Sequence, residues 1–338
     1  MAITLSLCIP TLNRAAYIGE TLDSIVSQVT DAVEIVVVDG GSSDGTEEII
    51  RNWQRRFPRL RYFRREENLG VERDTDKAVE LAEGAYCWLM TSDDVLKPRS
   101  IDVVLAASRA GHELIVVNAE VRDLQLGRVL EASKLGPIVN CVYEPGEFER
   151  LFVDVAAYLS YMGGVVIRKA LWEARNRSGY LDTDFVHLGV IFQRPLPGSA
   201  LVVTEPLISA RCGNATWAPR QFEVWGINWP TVLWSFPDIP ASAKRKIYGH
   251  QGWRNFRRLL IQRALGAYSL EEYERWIRPD GGGRRSKLAA RLIALLPRGP
   301  LNLLLVCYFS LRGRRGGNLI ELKQSRFFWL KREASRCT

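Results

Sequence analysis

Over its first hundred residues the chain alternates short β-branched apolar runs with stretches of helical period, and this alternation constrains the fold more than any other feature. Thr4–Ile9, Val33–Val38, Leu60–Phe63 and Tyr86–Met90 are apolar runs of four to six residues. Between them lie Ala16–Gln28, with Ile18, Leu22, Ile25 and Val26 at helical spacing, then Glu47–Arg56, then Asp74–Glu83 with Ala78, Val79, Leu81 and Ala82 on its apolar side. Strands that alternate with helices imply parallel βαβ units. Right-handed crossovers place Thr11, Asp39 and the Asp93-Asp94 pair along one edge of the sheet. The expected class is α/β, a Rossmann-like, mostly parallel sheet flanked by helices.

Ligands bind such sheets at the carboxyl ends of the strands. The fourth run ends in two adjacent carboxylates, Asp93 and Asp94, followed by a turn at Lys97-Pro98. Two carboxylates at that edge suit a hard divalent cation, which neutralises a diphosphate; an Asp-Asp turn explains the same residues when they are taken alone. Asp39 opens a glycine-rich turn, Gly40-Gly-Ser-Ser-Asp44-Gly-Thr46, in which Asp44 or Thr46 can cap the next helix. No GxGxxG follows the first strand and no GxxxxGK[ST] occurs. A dinucleotide-binding fold is disfavoured and a P-loop excluded. Polar strand ends converging on one crevice fit a nucleotide diphosphate.

Composition matters chiefly through charge. The net +8 conceals an asymmetry: residues 243–338 carry 22 Lys and Arg against 6 Asp and Glu, a net of +16, leaving −8 for the rest. A segment this basic meets nucleic acid, an anionic membrane or an acidic partner. Cys8 and Cys87 lie within strands predicted to be buried, and the six cysteines show neither CxxC nor zinc-type spacing, a pattern that fits a reducing compartment. No charged n-region with an apolar h-region opens the chain, so no secretory signal is expected.

Four motifs carry a resemblance. Ile9-Pro10-Thr11-Leu12-Asn13-Arg14, Val36–Thr46, Asn68-Leu69-Gly70 and Asp93-Asp94 after a strand resemble, in order and spacing, the family 2 glycosyltransferases. A more distant likeness to abequosyltransferase-type O-antigen enzymes runs through Tyr161–Arg168 and Phe185-Val186-His187 to Arg211–Asn214. The resemblance implies a GT-A fold and a nucleotide-sugar donor. It implies that Pro10 and Thr11 line the base pocket, that Asn13 belongs to the nucleotide-sugar site, and that Asp39 binds base or ribose, with an Asx turn as the plain alternative. Arg73 or Asp74 would complete the nucleotide pocket, although a solvated helix start explains Asp74 equally well. Asp94 would ligate Mg2+ or Mn2+ and Asp93 would contact ribose or donor sugar; Ser92 stands where the full motif has a third Asp. Inverting relatives open an acceptor-side helix with Glu-Asp, which is absent here. Asp184 is the expected base, with His187 its rival; an N-cap and a satisfied half-buried His are their plain alternatives. Loss of the base would open the way to a retaining reaction. For the acceptor, Trp217 and Trp229 are the stacking candidates among the aromatics of residues 205–236, with Arg211 or Arg220 for phosphate. The QxxRW of processive relatives is absent, favouring transfer of a single sugar.

The expected domains are 1–240, catalytic, with a nucleotide-sugar-binding half (1–100) and an acceptor half (101–240), and 241–338, a basic, mostly helical region. Leu301–Leu311 is an apolar run of eleven residues, too short at about 1.5 Å per residue to cross a hydrocarbon core of about 30 Å but able to lie in its interface. With Arg312, Arg314 and Arg315, and Phe327, Phe328 and Trp329 beside Lys331 and Arg332, it predicts peripheral attachment to an anionic membrane, on its cytoplasmic face, and a lipid-linked or glycan acceptor. A packed helical subdomain with a basic face is the alternative. Two other functions compete: a sugar nucleotidyltransferase, disfavoured because no glycine-rich basic loop follows the first strand, and a non-catalytic membrane or nucleic-acid module. No RNA-recognition motif is visible, so no nucleic-acid partner is expected.

Overall fold

A computed structural model describes residues 2–136, 139–215, 218–281, 283–311 and 317–328. The chain divides into two compact units, residues 1–212 with 234–247, and residues 213–233 with 248–338. The boundary expected at 240/241 is therefore corrected: an aromatic segment, 213–233, leaves the first unit early, and 234–247 returns to it.

The first unit is built on a mixed sheet whose strands are β1 (Leu5–Thr11), β2 (Val33–Asp39), β3 (Leu60–Arg64), β4 (Tyr86–Leu89), β5 (Val95–Leu96), β6 (Leu114–Arg122), β7 (Val129–Glu131), β8 (Cys141–Tyr143), β9 (Val165–Arg168) and β10 (Ala200–Arg211). Its order is β3-β2-β1-β4-β9-β6-β10-β5, with β7 on β6 and β8 on β10. The helices of this unit are α1 (Ile18–Val26), α2 (Thr46–Arg56), α3 (Val71–Leu81), α4 (Ser100–Arg109), α5 (Phe148–Val155), α6 (Lys169–Glu173) and α7 (Val186–Phe192). Every residue of β1, β2 and β4 is buried, as strands covered by helices on both faces must be. Leu5, Leu7, Ile9, Ile35, Val37 and Trp88 pack against Ile18, Leu22 and Ile25 of α1 and Ile101 and Val104 of α4, each burial contributing roughly 1.5–3 kcal/mol.

The strand order sets the site. The chain steps outward from β1 through β2 to β3, then crosses back to lay β4 on the other side of β1. The order thus reverses at β1, and ligands of open α/β sheets bind beyond the carboxyl ends at such a point. Parallel register pairs Thr11 with Asp39, and Asp39 with Arg64. Strand β4 stops at Leu89 opposite Cys8, so Met90–Asp94 leave the sheet at the same edge. Strand β5 then turns back antiparallel to β10, which brings Arg211 beside Asp94.

The second unit holds helices α8 (Trp229–Ser235, whose last residues return to the first unit), α10 (Phe256–Leu265), α11 (Leu270–Glu272), α12 (Arg284–Leu295), α13 (Arg298–Leu311) and α14 (Gly317–Gln324); α9 (Ala241–Ile247) belongs to the first. Asn255 caps α10 by accepting the Arg258 N–H at 3.1 Å, and Gly266 at φ 89° ends it. Around α10 pack two small cores, one containing Phe222, Trp253, Tyr268, Tyr273 and Ile277, the other Ile261, Ala264, Val306, Phe309 and Leu322.

Candidate functional site

Two loops cross the sheet edge and are joined by side-chain hydrogen bonds to backbone. Asn13, at φ 53°, donates its N–H to Ser42 Oγ at 2.8 Å and accepts the Ser43 N–H on Oδ1 at 2.8 Å. The Arg14 N–H reaches Thr46 Oγ1 at 2.8 Å and the Ala15 N–H reaches Asp44 Oδ2 at 3.1 Å. The short polar residues of the glycine-rich turn thus hold the Pro10–Arg14 turn in place.

Asp39 is fully enclosed. Its Oδ1 accepts the Ser42 N–H at 2.8 Å and the Ser42 hydroxyl at 2.7 Å; its Oδ2 accepts the Tyr62 hydroxyl at 2.8 Å. Burial and this carboxylate push the Tyr62 phenol well up. Thr11 beside it is also buried, yet its hydroxyl oxygen has no protein partner, the kind of group a ligand satisfies. Pro10 is buried within β1. Asp74, also buried, accepts the Arg65 Nε–H at 2.5 Å, and its carboxyl is raised chiefly by burial, with Arg65 opposing and Asp39 adding to the rise. A Cβ on Gly40 would sit 2.8 Å from Asp74 Oδ2, so any larger residue here would displace the Asp74 carboxylate. Helix α3 begins at Val71, three residues before the expected start, because Gly70 adopts φ 91° and Asn68 Oδ1 accepts its N–H at 2.9 Å.

The two carboxylates after β4 differ in kind. Asp94 is 3% exposed: Oδ2 accepts the Thr91 hydroxyl at 2.7 Å and the Tyr161 hydroxyl at 2.5 Å, and Oδ1 accepts the Arg211 N–H at 2.7 Å. Burial first, and Asp93 second, raise its carboxyl. Asp93 has a 17% exposed side chain 3.7 Å from the Arg14 guanidinium. Lys134 lies with Nζ 4.1 Å from the Tyr161 ring centroid, its ammonium lowered by burial while Asp94 supports its charge.

The structure brings a third group to this unit that sequence spacing did not signal. Glu72, in the first turn of α3, accepts the Val186 N–H at 2.8 Å, and Thr183 Oγ1 lies 3.4 Å away. Next to it Arg73 pairs with Asp182 at 2.6 Å. The loop so held contains Asp182 and Asp184 at φ 67° and 69°, left-handed values that Asp tolerates better than most residues. Burial raises the Glu72 carboxyl to about 6, against the backbone hydrogen bonds of Val186, Asp184 and Asp182, with the Asp184 charge adding to the rise. Asp184 is half-buried at the start of α7.

Three expectations are corrected. His187 is fully buried, with Nε2 2.7 Å from the Leu159 carbonyl oxygen, and desolvation lowers it to about 4; it is a neutral core residue that cannot reach an acceptor. Arg211, 3% exposed in its side chain, spends its guanidinium on the Asp93 carbonyl at 2.9 Å, the Leu124 carbonyl at 2.5 Å and Glu20 at 2.8 Å, and stacks over Tyr17. It clasps the carboxylate loop instead of meeting acceptor phosphate. Trp229 is 3% exposed and packs edge-to-face on Trp225, leaving no open face for a sugar. Trp217 lies outside the described residues, and Arg220 lies 3.3 Å from Glu223.

Residues 6–154 match the family model Glycosyl transferase family 2. The abequosyltransferase RfbV of Salmonella typhimurium is 28% identical over 225 residues, which cover 62% of this chain and 67% of that one. The glycosyltransferase GlyG of Streptococcus pneumoniae is 28% identical over 104 residues, covering 31% of this chain and 35% of its own length. Among solved structures, S. aureus TarS 1-349 in complex with UDP-GlcNAc superimposes with a TM-score of 0.59 at 17% identity, over 95% of this chain and 91% of that one. At that identity the likeness speaks for the fold, which is GT-A. The chain spans about two thirds of the abequosyltransferase and about a third of GlyG.

Proposed function

Starting from a family 2 glycosyltransferase domain over residues 6–154, we propose that this chain moves a single sugar from a nucleotide-sugar donor to a hydroxyl of a lipid-linked or cell-surface glycan, with inversion. One observation carries the reading: the reversal of strand order at β1 gathers at one edge a buried Thr11 hydroxyl with no protein partner and an adjacent carboxylate pair. TarS, which shares the fold, has been solved with UDP and with UDP-GlcNAc, and what we carry over is the class of ligand, a nucleotide sugar.

In this reading the turn at Pro10–Asn13 and the Asp39 region receive the nucleoside. The donors already on Asp39 make it a post that fixes Ser42 and Tyr62 around the base, and Asp74 sets the pocket floor against Gly40. Asp93 faces the diphosphate. Asp93, a partly exposed carboxylate, and Asp94, which holds three hydrogen bonds and keeps one lone pair on Oδ1, would hold a divalent cation, Mg2+ or Mn2+, between them and the diphosphate, since no cluster of three or more His, Cys, Asp or Glu ligands stands among the described residues. Two crowded carboxylates, one raised by burial and by the other, are also the charge arrangement that a cation relieves. Such a cation would supply positive charge as the nucleoside diphosphate departs. Arg14 adds fixed positive charge beside Asp93.

Asp184 is our choice for the base that takes the acceptor proton, with Glu72 and the Arg73–Asp182 pair holding its loop. We place the reaction on the inner, cytoplasmic face of the cell membrane.

The test is calorimetric titration with UDP, GDP, CDP and dTDP, each with and without Mn2+, repeated on Asp93→Asn. Binding of one nucleotide that needs the metal and is lost in Asp93→Asn is the expected result. A folded protein that binds none of the four sinks the reading.

A further inference from the structure

The described residues of the second unit leave an apolar surface uncovered. On α12 the exposed side chains include Leu288, Leu292 and Leu295, at 57, 56 and 55%, followed by Leu296 at 37%. Their spacing of four and three puts them on one face, opposite the buried Ala290, Ile293 and Ala294. On α13 the exposed residues are Leu303, Leu304, Tyr308 and Leu311, at 39, 64, 37 and 88%, opposite the buried Asn302, Val306 and Phe309. The inner face of α13 is anchored: Asn302 Nδ2 donates to the carbonyls of Ala264 at 3.3 Å and Leu322 at 3.2 Å. The outward leucines are therefore not there for want of packing; the helix is held with that face outward. Eight large apolar side chains exposed within 288–311 exceed what scattered surface leucines explain.

Charge identifies the occupant. Arg284, Arg285 and Arg291 are exposed on α12, in a region that carries a net +16, and no Asp or Glu occurs between Arg284 and Leu311. Leucine faces edged by arginine without any acid match anionic lipid: apolar side chains enter the acyl boundary while guanidinium groups meet headgroup phosphates. Neither helix is long enough to span a bilayer by itself. At about 1.5 Å per residue, the 14 residues of α13 reach about 21 Å against a core of about 30 Å. No single helix among the described residues is long and apolar enough to cross a membrane; α12 and α13 together have the length and apolarity for it, but their axis bends by 100° at the break between them, the geometry of a broken or re-entrant element.

We propose that the leucine faces of α12 and α13 form an interfacial wedge that docks the protein on an anionic bilayer, entering one leaflet without crossing it. This inference stands apart from the transfer reaction, since none of its residues belongs to the nucleotide site.

The test is co-flotation of the full chain with vesicles of phosphatidylcholine alone or with 30% phosphatidylglycerol, at low and high salt, for the protein and for Leu292→Glu/Leu304→Glu. The expected result is binding to the anionic vesicles that weakens with salt and falls at least about a hundredfold in the double variant, with melting and nucleotide binding unchanged. Leu292→Ala/Leu304→Ala, which introduces no charge, should lose about tenfold. Equal binding to both vesicle types, no binding to either, or self-association that the same substitutions abolish would each overturn the proposal, the last by giving the face to a second copy of the chain.

Discussion

Glu72 offers a quantitative check on how α3 holds the loop of Asp184. The residue is 8% exposed, and burial raises its carboxyl to about 6 in the folded protein, against an ordinary value of 4.5. The folded state therefore holds this proton more tightly than the unfolded chain does. The corresponding stability is fully present below the ordinary value and is lost as pH rises through the folded one. At 1.36 kcal/mol per unit, a rise of this size is worth about 2 kcal/mol, lost between roughly pH 4 and 7. Glu72→Gln keeps an oxygen for the Val186 N–H but cannot ionise. Urea unfolding by tryptophan fluorescence, on both proteins from pH 4 to 7.5, should show the variant gaining about 2 kcal/mol relative to the parent across that window. A difference that stays flat with pH would refute the reasoning, because it would mean that Glu72 is not buried against the 182–186 loop in the folded state.

Three further outcomes are expected. Thr11→Val should leave stability unchanged or slightly higher, because the hydroxyl has no protein partner, yet weaken nucleotide binding roughly 3- to 10-fold by calorimetry; unchanged affinity would mean the ligand does not meet that oxygen. Gly40→Ala should cost about 1–3 kcal/mol in chemical denaturation, since the new Cβ would meet Asp74 Oδ2 at 2.8 Å and force it off Arg65. Trp88→Phe should cost about 2–4 kcal/mol, from lost volume and from the Gly163 carbonyl, which now accepts the indole N–H at 2.8 Å and would be left buried and unpaired.

The parallel half of the sheet was legible because its cause is local. Short β-branched runs, helical periods between them and turn residues at Gly40–Gly45 and Asn68–Gly70 each act over a few residues, and right-handed crossovers then leave one arrangement of the strand ends. Thr11, Asp39 and Asp93-Asp94 share an edge for that reason alone. What each side chain does there was settled by partners far along the chain. Arg211 looked like a free guanidinium until β5 and β10 paired and closed it over the loop of Asp94, 117 residues away. His187 had the chemistry of a base, but α7 turns it inward onto the Leu159 carbonyl. Glu72, unremarkable as an acid in the first turn of a helix, meets the Val186 N–H across 114 residues. Composition likewise announced a basic, apolar-rich tail, while the outward facing of its leucines follows from α12 burying Ala290, Ile293 and Ala294, and α13 burying Asn302, Val306 and Phe309, against the rest of their unit. Periodicity and strand order are written in neighbouring residues. Protonation, exposure and hydrogen-bond satisfaction belong to contacts that exist only once the chain has closed on itself.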